Sequence, residues 1–136
     1  MNKLTMTVLV PVSAALLGAC ATGGGMYSQP YALFEAAQRM PTADTRPAFI
    51  MSIDGKTVSI DSNDPVLPGM RMVEVSIPGS PGMSNPGRDT LSVDAKPCTR
   101  YLFAAKRSSR TARDWEAFVA ASEPIGECVK RFPAMK

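Results

Sequence analysis

The side chains able to do chemistry in this sequence are three cysteines, one cluster of cations and a scatter of carboxylates and methionines; there is no histidine. Without imidazole, Ser-His-Asp and Cys-His nucleophilic sites, imidazole general bases and His-ligated zinc or haem are excluded by inventory. No Ser-x-x-Lys pair occurs that could activate a serine instead. Asp61-Ser62-Asn63-Asp64 begins like a calcium loop, but Val66 takes the place of the glycine expected at its sixth position and Met72 that of the acid at its twelfth. The stretch reads as a turn. Asp54-Gly55-Lys56-Thr57 ends like a phosphate-binding loop, yet Ile50 stands where the first glycine is needed. Two carboxylates at a fixed separation suffice for glycoside hydrolysis, which leaves a small carboxylate-dependent hydrolase as a residual alternative. The methionines are scattered, as gap fillers are, and not grouped as a soft-metal site. The reading therefore assigns no catalytic residue, no metal ligand and no cofactor.

The cations are more organised. Lys106, Arg107, Arg110 and Arg113 fall within eight residues, interleaved with Ser108, Ser109 and Thr111. Residues 20–95 carry five cations and eight anions, and residues 96–136 carry nine and four. A basic segment of this kind can meet lipid phosphate, lipopolysaccharide or an acidic envelope protein, each pair contributing on the order of 1 kcal/mol and weakening with salt. The plainer reading is a solvated hairpin loop partly paired with Asp114 and Glu116. No aromatic residue is interleaved to stack bases, so nucleic acid is not expected as a partner.

The elements that position these groups begin with an address. Lys3 precedes an apolar run from Met6 to Leu17, broken only by Thr7, Pro11 and Ser13. The run is shorter than the roughly 20 residues a membrane-spanning helix needs. Small residues follow it, which makes residues 1–19 a cleaved signal peptide. Leu17-Gly18-Ala19-Cys20 resembles the lipobox of bacterial lipoproteins. That resemblance implies cleavage before Cys20, diacylglycerol on its sulfur and acylation of the new amino group. Ala21, where aspartate would favour the inner membrane, implies transport to the outer membrane. Each buried methylene contributes about 0.8 kcal/mol, so two or three chains anchor far more firmly than one. The alternatives are a signal that is not lipidated, or a core helix that ends in cysteine. With Cys20 spent on lipid, Cys98 and Cys128 remain, in an oxidising compartment, and an even remainder implies a disulfide. Such a bridge is worth about 3–4 kcal/mol on the chain-entropy model. Two buried thiols or a redox pair are the alternatives, and a spacing of thirty with no nearby histidine disfavours redox chemistry.

At 136 residues, with 45% hydrophobic and 20% charged residues and a net charge of +3, the chain suits one folded domain and not two. Twelve prolines and ten glycines favour turns over long helices. Ala21-Thr22-Gly23-Gly24-Gly25 reads as a flexible tether. Leu33, Ala36, Ala37 and Met40 have helical spacing up to Pro41, which predicts a short helix. Residues 20–46 thus hold the lipidated cysteine, tether and short helix, and residues 47–136 the folded domain.

From Ala48 the pattern turns to period two, giving six strands: 48–54, 56–60, 71–77, 90–95, 99–106 and 115–121. Asp54-Gly55 suits a hairpin turn, and the prolines and glycines of 78–87 a loop. Val73, Val75 and Ile77 should face the core with Arg71, as should Leu91, Val93 and Ala95. The strand carrying Tyr101, Phe103 and Ala105 has apolar residues on both faces and should be central. Residues 115–121 fit either helix or strand, and strand is preferred. The expected fold is mainly β: a small antiparallel β-sandwich with one disulfide.

Ile53-Asp54-Gly55-Lys56-Thr57-Val58, followed by Pro68-Gly69-Met70-Arg71-Met72-Val73-Glu74-Val75-Ser76-Ile77-Pro78-Gly79, resembles a PEGA domain, a small surface-layer β-sandwich. The mature chain also resembles small lipoproteins of proteobacteria through Pro97-Cys98-Thr99-Arg100-Tyr101 and Glu123-Pro124-Ile125-Gly126-Glu127-Cys128. These features lead to the expectation of a non-enzymatic outer-membrane lipoprotein whose periplasmic domain is an envelope structural or interaction module. An accessory subunit of a secretion or pilus assembly, docking through the basic loop, is the alternative.

Overall fold

Val73, Val75 and Ile77 alternate with Glu74 and Ser76, and a strand sends such neighbours to opposite faces. In the computed structural model, which describes residues 25–38, 42, 44–59, 63–78, 87–109 and 114–135, these three aliphatic residues are buried while Met70 and Met72 are 64% and 52% exposed. The strands are β1 (Leu33–Ala36), β2 (Thr45–Pro47), β3 (Phe49–Ile53), β4 (Lys56–Thr57), β5 (Gly69–Ile77), β6 (Gly87–Ala95), β7 (Thr99–Arg107) and β8 (Trp115–Pro124), followed by one helix, α1 (Gly126–Arg131).

They form two four-stranded sheets. One has the order β4-β3-β5-β6, all antiparallel. The other is built on β7, as its two-sided apolar pattern predicts. Strand β8 pairs antiparallel along one edge of β7. On the other edge β1 lies parallel to Arg100–Phe103 and β2 antiparallel to Ala104–Lys106. The Phe103 carbonyl accepts from the N–H groups of both Ala37 and Ala48, joining the two short strands where they meet. Phe34, Ile50, Val73, Val75, Ile77, Val93, Tyr101, Phe103 and Ala105 fill the space between the sheets. Phe34 packs edge-on against both Tyr101 and Phe103.

The Asp54-Gly55 hairpin forms as expected, with positive φ at both residues (51° and 77°), the backbone that a two-residue primed turn demands. The strand after it is shorter than the expected 56–60, being Lys56–Thr57. Residues 115–121 are strand, and the strand continues to Pro124.

The short helix expected over 33–40 is corrected: Leu33–Ala36 is strand β1, and the sheet therefore begins before residue 47. Leu33 and Phe34 are neighbours buried on opposite faces, Leu33 among the residues around the disulfide and Phe34 in the main core. A four-residue strand with apolar residues on both faces carries no period-two signal. Helix α1 is a further element that the sequence reading did not predict. Residues 1–24, including Cys20, and Arg110 and Arg113 lie outside the described residues.

Candidate functional site

The candidate groups sit at the two opposite ends of β7. At its start, Cys98 and Cys128 form a disulfide with a Cα separation of 5.2 Å. Cys98 adopts a left-handed backbone, φ 54°, which a non-glycine residue occupies only when its surroundings hold it there. Here its N–H donates to the Tyr31 carbonyl at 2.7 Å and its carbonyl accepts from the Ile125 N–H at 2.8 Å. Three distant segments are thereby joined at one residue. Both cysteines are buried with Tyr31, Leu33 and Ile125, and Val129 and Phe132 pack against them.

The first described turn, Met26–Ser28, lies against this end. The Tyr27 hydroxyl donates to the Asn63 carbonyl at 3.2 Å, its ring meets Tyr31 edge-on at 5.0 Å, and Arg131 Nη1 donates to its carbonyl at 2.9 Å. Tyr27 remains 47% exposed, and Lys130 and Arg131 are exposed on α1. Arg100 pairs with Glu35 through Nε at 3.0 Å. A cavity of about 620 Å³ opens between Tyr27, Tyr31, Arg100, Ile125 and Arg131.

At the other end, the structure places two members of the basic cluster, Lys106 and Arg107, as the last two residues of β7. Consecutive strand residues point to opposite faces, so the two cations do not act as one patch. Arg107 Nε donates to Asp44 Oδ1 at 3.2 Å, and its guanidinium lies 5.3 Å from the centre of the Trp115 ring. Arg46 lies 5.1 Å from the same ring and donates from Nη1 to the Pro78 carbonyl at 3.2 Å. Trp115 is thus clasped by two arginines, a contact favoured by the negative face of the indole. Lys106 Nζ is 3.8 Å from Glu116 Oε2 and 5.5 Å from the centre of the Phe118 ring. Arg107 thus meets Asp44, just before β2, and Trp115 of β8, while Lys106 lies beside Glu116 and Phe118 of β8.

A third polar cluster supports the hairpin turn. The Asp54 carboxylate accepts from the Met72 N–H and from Arg71 Nη1, each at 2.9 Å. These bonds, the backbone one foremost, hold its carboxyl below the usual 3.8. Lys96 pairs with Asp94, whose carboxylate holds the ammonium above its usual value. Among the described residues no three Cys, Asp or Glu side chains group so as to hold a metal ion, and no helix is long and apolar enough to cross a membrane.

The fold and its polar clusters define a disulfide-bonded, two-sheet β protein. Comparison with known proteins adds nothing to that class: no family model, no curated protein and no solved structure matches the chain.

Sequence reasoning missed the clasp around Trp115 and the contact of Tyr27 with Arg131. Arg46 stands far from Trp115 in sequence, and residues 27 and 131 lie near opposite ends of the chain. No local spacing rule links such positions.

Proposed function

We propose that this chain is a non-enzymatic lipoprotein, held in the outer membrane by acyl groups on Cys20, with its β-sandwich in the periplasm as a structural or interaction module of the envelope. The observation that carries the reading is Leu17-Gly18-Ala19-Cys20 at the end of a cationic, then apolar, leader. The disulfide supports it in two ways. It suits an oxidising compartment, and it uses Cys98 and Cys128, which leaves Cys20 as the cysteine open to acylation. The engagement of Lys106 and Arg107 with Asp44, Glu116 and aromatic rings favours a structural role for these two cations.

Fractionation of cell envelopes tests the localisation. The wild-type protein is expected with outer membranes, Ala21→Asp with inner membranes, and Cys20→Ser with neither in mature form. Identical fractionation of all three overturns the reading. Turnover of cell-wall or lipid substrates by the purified folded domain contradicts its non-enzymatic part.

A further inference from the structure

We infer that the disulfide end of the sandwich faces the membrane and rests on its phosphate headgroups through Tyr27, Lys130 and Arg131, while the β7–β8 end is held away from that leaflet. The inference rests on the lipid anchor proposed for Cys20 and concerns how the anchored domain stands.

It follows from where the described chain begins and how far the preceding residues reach. Tyr27 is fixed at the disulfide end by its bonds to Asn63 and Arg131 and by its ring contact with Tyr31. Strand β7 starts beside Cys98 and runs away from that end for nine residues, a length of about 27 Å at the rise of an antiparallel strand. Seven residue steps from Cys20 to Tyr27 span at most about 25 Å when fully extended. An inverted domain, with Lys106 and Arg107 on the leaflet and the disulfide end pointing away, would need the linker stretched to its limit, whereas the disulfide-end-down arrangement needs little of its reach.

The proximal end also has the chemistry for a headgroup layer. Tyr27 is half exposed, and a phenol with an apolar ring and a polar tip suits the membrane–water interface. Lys130 and Arg131 lie exposed on α1, and Arg131 is bonded to the backbone of Tyr27, so Arg131 and Tyr27 share one surface, with Lys130 the preceding residue of the helix. Glu123 and Glu127 at the same end temper the attraction. The anchor compensates by keeping the local lipid concentration high, so that a weak contact is enough to set orientation. At the far end Arg107 is largely buried against Asp44, and Lys106 has the carboxylate of Glu116 beside it at 3.8 Å.

The chain supplies its own reporter, because Trp115 is its single tryptophan and sits at the far end of the sandwich. The mature chain, 20–136, is coupled through the Cys20 thiol to a maleimide lipid in vesicles of phosphatidylcholine and phosphatidylglycerol that carry a headgroup nitroxide quencher. Emission from Trp115 is expected to be nearly unquenched, and emission from a Tyr27→Trp/Trp115→Phe chain to fall several-fold. Lys130→Glu in that second chain is expected to relieve much of the quenching, with unchanged circular dichroism showing that the fold is kept. Quenching of Trp115 equal to that at position 27, or no response to Lys130→Glu, overturns the proposed contact. Because Cys20 is coupled chemically, this outcome is independent of acylation in cells, whose failure would count against the anchor itself.

Discussion

Asp54 illustrates how much one side chain can fix. Its own backbone makes half of the primed turn, and its carboxylate ties that turn to β5 through the Met72 N–H and Arg71. Its folded-state pKa lies below the ordinary 3.8, so its contribution to stability is present above that pH and is lost as pH falls through the folded value. Asp54→Ala is expected to lower stability at neutral pH, and its deficit against wild type should shrink in acid below about pH 4. Urea unfolding of both proteins at several pH values checks the direction, and a deficit independent of pH contradicts it. Among the described residues Phe103 is the largest fully buried side chain. Phe103→Ala should cost about 3–5 kcal/mol, readable from the shift of the urea midpoint. The Asp-Gly turn and the inward phenylalanine were legible in the sequence, because each has a local signature. The bond from Asp54 to Arg71 was not, since it depends on how two strands come to lie together.

Among the elements, β8 has a long edge to protect. Among the described residues it pairs with β7 alone, and an unpaired edge invites association with other chains. Two features oppose this. The register shifts between Leu102 and Phe103, where β8 carries an extra residue, and such a bulge bends an edge out of line. Asp89 of β6 also reaches across, its Oδ2 accepting from the Ala117 N–H at 2.8 Å. Asp89→Ala should destabilise the domain by about 1–2 kcal/mol by leaving that N–H without its acceptor. It should also raise self-association in concentrated solution, as read by sedimentation. A variant as stable and as monomeric as wild type would contradict this role. The long strands were legible because period two persists for many residues in β5 and β6, and because β7 is a longer run that is apolar on both faces, as a central strand is. Strand β1 was not, because it is four residues long and buries both faces, and Leu33, Ala36 and Ala37 also satisfy a helical spacing.

At the scale of the molecule, the disulfide joins the turn before β7 to α1, and the bonds of Cys98 to Tyr31 and Ile125 bring in the segment before β1 and the end of β8. Cys98→Ala/Cys128→Ala should therefore lower stability by about 3–4 kcal/mol and free α1 first, seen as early exchange of its amides. Uniform loss across the chain, or none, would contradict this. The pairing was foreseeable from counting cysteines, whereas the position of the basic cluster relative to the chain's start was not. Only the direction of β7 shows that Lys106 and Arg107 lie at the end away from Tyr27. Anchoring, compartment and orientation all depend on Cys20 leaving the cell's export machinery as an acylated N-terminus. Metabolic labelling with an alkyne fatty acid, followed by intact-mass measurement, tests this most directly. The expected result is a labelled chain beginning at Cys20 and an unlabelled Cys20→Ser variant; an unlabelled wild-type protein, or one that retains Met1, would contradict it.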